Sequence, residues 1–157
     1  LWIPSEVEVK VEVKVEVEVK VKVKNKIKEI MKYLSFEDMP VWKLAMDIAK
    51  QIFDITVSLP RSEDYGLTSQ IRRSAVSISA NLAEGFGRET GPDKKKFYII
   101  SRGSAFETKS HLIYGNLVNY FTNEQVKSIT VQIDNLIHEL NKLIKSLNNR
   151  PQPQPQP

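Results

Sequence analysis

Glu84 and Glu107 are the residues from which a catalytic argument would start. Glu107 falls on a helical apolar stripe one turn after Gly103 and Ser104, and Glu84 lies near the end of the preceding helical segment. Two carboxylates brought together between helices can divide acid and base roles. Catalysis also wants a cleft, a nucleophile and a tuned proton donor, and no such constellation accompanies them. The reading adopted is structural. A carboxylate on a core-facing position needs a partner, so Asn81, Glu84, Ser104 and Glu107 are expected to form a polar network that fixes helix register, with Arg72 or Arg73 in reach.

Other chemistry is thinly represented. Gly85-Phe86-Gly87-Arg88-Glu89-Thr90-Gly91 has the look of a nucleotide loop, but it is one residue too long and follows a helix, not a strand. Ser74, Ser77 and Ser79 lie within a helical segment and not on a nucleophile elbow. His111 and His138 are 27 positions apart, too far for a local metal pair. The chain has no cysteine, which removes disulfides, thiolate metal sites and Cys nucleophiles together. No catalytic residue, metal ligand or cofactor is nominated.

The basic residues are better placed. Arg72, Arg73, Arg88, Lys94, Lys95, Lys96 and Arg102 come from two consecutive helical segments and their connection. In an antiparallel hairpin Arg88 and Lys94 to Lys96 gather at the turn. Such an end can hold phosphates without reading bases. Glu89 and Asp93 flank it and cancel part of its charge.

These residues must be positioned by helices. Between residues 35 and 150 the apolar spacing is three and four. The first line is Val41, Leu44, Ala45, Ile48, Ile52, Ile55 and Leu59, stopped by Pro60. The second is Leu67, Ile71, Ala75, Ile78 and Leu82, ended by Gly85 and Gly87. The third starts at Gly91-Pro92 and runs to about Tyr120, with Phe97, Ile100, Ser104, Glu107, His111 and Tyr114 as its inner stripe. The fourth starts at Thr122 or Asn123 and follows Val126, Ile129, Ile133, Leu136, Leu140, Leu143 and Leu147. The expected fold is all-α, an antiparallel up-down four-helix bundle. Tyr98, Ile99, Phe106 and Ile113 lie off the third stripe, and Val76, Ala83 and Phe86 off the second. A helix apolar on two faces is covered on two sides, so a homo-oligomer is expected.

The chain is 157 residues with a net charge of +4, which permits nucleic-acid contact without demanding it. Residues 35–150 carry 15 basic and 13 acidic groups. Three zones follow: a low-complexity extension over 1–30, the bundle over 31–150, and a Pro/Gln tail over 151–157, expected to be disordered. In the extension Val occupies every odd position from Val7 to Val23 and a charge every even one. Period two is the pattern of a strand, yet nothing else in the chain can pair with it. It reads as a repeat expansion ahead of a start near Met31, with a self-pairing strand and a charged helix as alternatives. No apolar run reaches the ~18–20 residues of a membrane span, and the first residues lack a signal-peptide pattern. The expected compartment is the cytoplasm.

The words of the second segment are specific. Gly66-Leu67-Thr68-Ser69-Gln70-Ile71-Arg72-Arg73-Ser74-Ala75-Val76-Ser77-Ile78, then Asn81-Leu82-Ala83-Glu84-Gly85-Phe86-Gly87-Arg88, resemble the signature of the four-helix-bundle proteins of 23S rRNA intervening sequences. Val41-Trp42-Lys43-Leu44-Ala45 and Gly103-Ser104 followed by Glu107-Thr108 resemble two more motifs of that family. Ser79 stands where the family usually has Pro. The resemblance implies a ring-like homopentamer. It also implies a relation to the accessory variability protein of diversity-generating retroelements, which binds nucleic acid and partners a reverse transcriptase. The expected function is that of a non-enzymatic, oligomeric RNA-binding or scaffold protein, associated with rRNA or the ribosome. The alternative is a protein–protein adaptor for a nucleic-acid enzyme.

Overall fold

The computed structural model describes residues 5–30 and 33–148, with the side chains at 12, 23–30 and 148 left outside the description. Met31 and the 151–157 tail lie outside the described residues. Those described form five α-helices and no strand: α1 (Glu6–Ile30), α2 (Pro40–Thr56), α3 (Leu67–Gly87), α4 (Gly91–Leu117) and α5 (Asn123–Asn148). Two units divide at Leu34/Ser35.

The Val/charge repeat is α1, not the strand its period suggests. A strand needs a neighbour for its N–H and C=O groups, whereas a helix satisfies them within itself. Ser5 and Glu8 start it with a capping box: Ser5 Oγ accepts from Glu8 N at 3.3 Å, and Glu8 Oε2 accepts from Ser5 N at 2.8 Å. The backbone bond from Ser5, helped by its hydroxyl, holds the Glu8 carboxyl below its ordinary pKa. Lys20 Nζ pairs with Glu16 at 2.5 Å one turn away. The valines from Val7 to Val21 are 44–70% exposed, because a period of two winds around a 3.6-residue helix and makes no apolar face.

In the second unit the local signals agree with the helices. Pro40 opens α2, where its missing N–H costs nothing. The helix ends at Thr56, earlier than the apolar line to Leu59, and Thr56 Oγ1 donates to the Ile52 carbonyl at 2.7 Å. Glu63 Oε2 accepts from Leu67 N at 2.9 Å and caps α3. Tyr120 Oη donates to Glu63 Oε1 at 3.1 Å, and that bond raises the phenol's pKa. Ser79, at the position of the family's proline, lies within an unbroken α3 and donates to the Val76 carbonyl at 3.0 Å. Thr90 Oγ1 caps α4 by accepting from Asp93 N at 3.2 Å. Thr122 and Gln125 form a reciprocal box at the start of α5, with bonds of 2.9 and 3.2 Å.

The end of α4 is a Schellman motif. Asn119 sits in the left-handed region at φ 62°, Asn119 N donates to Asn116 O at 3.0 Å, and Tyr120 N donates to Gly115 O at 2.8 Å. The motif turns Phe121, 3% exposed, back over Gly115. The helix therefore stops at Leu117 and not at Tyr120.

Around the core α2 packs on α3, α3 on α4, α4 on α5, and α5 on α2. Ile48, Ile52, Ile71, Ile78, Leu82, Leu112, Ile133, Leu136 and Leu140 are fully buried. The apolar lines of α2 and α3 face this core as their spacing predicts. On α5 the buried line is Ile129, Ile133, Leu136, Leu140 and Ile144, so the seam steps to Ile144 where Leu143 was expected.

The inner face of α4 differs from the stripe read in the sequence. It is Tyr98, Ser101, Ser104, Ala105, Thr108, Leu112 and Gly115. Most of these are small because α3 comes close and runs antiparallel. Thr108 Oγ1 donates to Ser74 Oγ at 3.0 Å, Ser77 and Ser104 hydroxyls meet at 3.0 Å, and Ser101 Oγ donates to the Ile78 carbonyl at 2.8 Å. A Cβ at Gly85 would lie 2.6 Å from Tyr98 Cε1. Hydroxyls line much of the seam, and Ile99, Ile100, Phe106, Ile113 and Leu117 are left outside.

Candidate functional site

The nominated polar network divides. Ser77 joins Asn81 to Ser104: Asn81 Nδ2 donates to Ser77 O at 2.8 Å and to Ser77 Oγ at 3.0 Å. Glu107 is not core-facing. Its side chain is 47% exposed, with Oε1 3.7 Å from His111 Nε2. Glu84 is exposed and paired with Arg88 one turn on. Glu84 is held by Arg88, Glu107 lies beside His111 on α4, and no Glu84–Glu107 pair forms. The expected partnership of Glu107 with Asn81 or an arginine of α3 is likewise corrected. Glu107→Ala is therefore expected to change the urea unfolding free energy by no more than about 0.5 kcal/mol. A loss of several kcal/mol would restore a structural role.

The seven nominated cations do not make one surface. Arg72 and Arg88 are separated by about 24 Å of α3. Arg72 Nε donates to Thr56 Oγ1 at 2.7 Å and its guanidinium lies 4.5 Å from the centre of the Phe53 ring, so it ties α2 to α3. Arg102 Nη1 donates to Asn141 Oδ1 at 2.7 Å, tying α4 to α5. Arg73 is exposed toward the start of α3.

The α3–α4 turn does gather Arg88 and Lys94 to Lys96, but two of the four are occupied. Arg88 pairs with Glu84 and covers the Phe97 ring at 4.4 Å. Lys94 Nζ donates to the Phe86 carbonyl at 2.6 Å, satisfying the last turn of α3 as a C-cap. Lys95 is half-buried and Lys96 exposed, and neither makes an ion pair among the described residues. Both stand in the first turns of α4, where the helix dipole leaves positive charge.

A second surface, on α4, is apolar. Ile99, Phe106, Ile113 and Leu117 lie on the outer face of α4 at 40, 53, 47 and 75% exposure. Their steps of seven, seven and four make a continuous strip. Ile100 and Tyr114 border it, also exposed. Gly103 lies within the strip with nothing within 4 Å of where a Cβ would be, which leaves a shallow gap. The signal was present in the sequence: Ile99, Phe106 and Ile113 were the residues off the presumed stripe. Tyr98, set off the stripe with them, is instead buried at 3% exposure.

Elsewhere, a groove of about 350 Å³ between α2 and α5 has an apolar floor at Ile55 and Ile129, with Gln51, Asp54, Glu124, Gln125 and Ser128 around it. Among the described residues no cluster of three metal-binding side chains occurs, and no helix is long and apolar enough to cross a membrane.

Comparison with known proteins fits this geometry. No curated protein matches the chain. Among solved structures it is similar to a protein of unknown function from the S23 ribosomal protein family of Bacteroides thetaiotaomicron. The identity is 26% and the TM-score 0.61, over 67% of this chain and 98% of that one. The family model described as 23S rRNA-intervening sequence protein matches residues 37–142, which span α2, α3, α4 and most of α5. The chain belongs to the 23S rRNA-intervening sequence protein family.

Proposed function

We propose that this protein is a non-enzymatic scaffold. Its four helices α2 to α5 form an up-down bundle, copies of which assemble through the outer face of α4 and contact RNA phosphates, as an rRNA- or ribosome-associated protein in the cytoplasm. The observation that carries the reading is the apolar strip Ile99, Phe106, Ile113 and Leu117. A strip that long on a helix already packed on its other side favours a protein surface as its cover. A ring, and five subunits in it, rest on family resemblance. Assembly would repeat Lys95 and Lys96 once per copy, so weak phosphate contacts add through effective concentration.

The family and neighbour descriptions support an RNA setting. Glu84 and Glu107 have separate neighbours, which removes that carboxylate pair as a catalytic candidate. The engagement of Arg72, Arg88, Lys94 and Arg102 in packing favours a second reading, in which the same surface is an adaptor for a nucleic-acid enzyme such as a reverse transcriptase. Salt titration separates the two. Lys95→Gln with Lys96→Gln is expected to weaken binding to unrelated RNAs by a similar factor. It should also flatten the log–log salt slope by roughly 1–2. Lys94 is left in place because it caps α3. Unchanged affinity and slope would remove the RNA reading and leave the adaptor.

A further inference from the structure

We infer that the Val7–Val23 repeat is a self-recognition segment: it leaves its helix to pair, as antiparallel β-sheet, with the same segment of a second copy of this chain. The helix is a poor resting place for it. Nine valines alternate with charges, and β-branched side chains are stiff in a helix. The described valines stay 44–70% exposed, so α1 gains almost nothing from them. Within residues 7–24, seven charge pairs stand one turn apart, and four of them are of like sign. Glu16–Lys20 is the one ion pair described in α1.

Extended, the same residues sort completely. Every valine falls on one face and every charge on the other. The alternation of sign then decides the pairing. Parallel strands in register set each charge against its own kind. Antiparallel strands in which facing residues sum to 32 set Lys14 against Glu18, Glu12 against Lys20 and Glu8 against Lys24, each twice. Lys10–Lys22, twice, and Glu16–Glu16 are the like-sign pairs that remain, so opposite pairs outnumber like pairs six to three. Two such sheets stack valine face on valine face, leaving the charges in water. The partner is therefore another copy of this segment, chosen by its charge order.

The test uses the full chain and reads the antiparallel-sheet amide I band. No strand occurs among the described residues of the second unit, so that band reports the repeat and not assembly through α4. Between about 1 µM and about 1 mM, the band should rise with concentration. The helical signal should fall by about a fifth, the share α1 holds of the five helices. Two variants fix the role of charge. An all-Lys repeat (Glu8→Lys, Glu12→Lys, Glu16→Lys, Glu18→Lys) and an all-Glu repeat (Lys10→Glu, Lys14→Glu, Lys20→Glu, Lys22→Glu, Lys24→Glu) should each stay free of sheet alone. Their equimolar mixture should form it. Three results overturn the inference: no sheet in the parent at any concentration, conversion of either variant alone as readily as the parent, or association of the mixture with the helical signal intact.

Discussion

Gly115→Ala is expected to lower the unfolding free energy by about 2–3 kcal/mol, although alanine is the better helix former by about 1 kcal/mol. A Cβ at Gly115 would stand well under 3.0 Å from the Phe121 ring and 3.2 Å from Leu67 Cδ2. Phe121 cannot step aside. It is 3% exposed, and its N–H donates to the Gly115 carbonyl at 3.2 Å within the turn that ends α4. Asn116 Nδ2 also holds the Phe121 carbonyl at 3.0 Å. Gly103 supplies the opposite case, since a Cβ there meets nothing within 4 Å. Gly103→Ala should therefore stabilise by about 0.5–1 kcal/mol. Urea midpoints of the two variants should move in opposite directions. A Gly115→Ala protein as stable as its parent would mean that the α4–α5 turn is looser than described.

The second large effect is on assembly. In residues 31–157, which lack the repeat, Phe106→Glu with Ile113→Glu is expected to convert a homo-oligomer into a monomer at tens of micromolar by light scattering. Both residues are about half exposed, so the fold of each subunit should survive with its helical signal unchanged. Two carboxylates desolvated in the middle of an apolar contact would each find no partner, and burying an unpaired charge is prohibitive. A monodisperse monomer for the unaltered chain would end the scaffold proposal. An oligomer that ignores both substitutions would move the contact to another surface. The double variant also offers a background in which the Gly115 and Gly103 comparison is free of association.

Much of this was legible in the residues. Leu67, Ile71, Ala75, Ile78 and Leu82 mark one face of α3 because aliphatic side chains dominate it and Gly85 closes it. Gly91-Pro92 and Thr122 mark the starts of α4 and α5. The inner face of α4 was not legible, since Ser101, Ser104, Ala105 and Thr108 look like a solvated face until a close helix takes up their hydroxyls. Glu107 and Ser104 differ by three positions, yet one is inside and the other outside, a distinction that turns on about 60° of helix rotation. The Val/charge repeat has the period of a strand, but the sequence offers it no neighbour, and the charged helix held as an alternative is what forms. The cations misled because a count of charges does not reveal which are engaged. Lys94 and Arg72 do packing work that only coordinates disclose.

The hydroxyl seam between α3 and α4 has a consequence for geometry at a larger scale. Aliphatic contacts tolerate sliding, since one methyl serves nearly as well as the next. Paired hydroxyls do not. Moving α4 by one turn, about 5.4 Å, would part Thr108 from Ser74 and Ser104 from Ser77 together. It would also take Ser101 from the Ile78 carbonyl, leaving buried polar groups that cost about 1–3 kcal/mol each. The seam is thus a vernier with a single setting. It fixes the height of Phe106 and Ile113 against α3 identically in every molecule, so any symmetric assembly built on them inherits one repeat angle and can close without accumulated error.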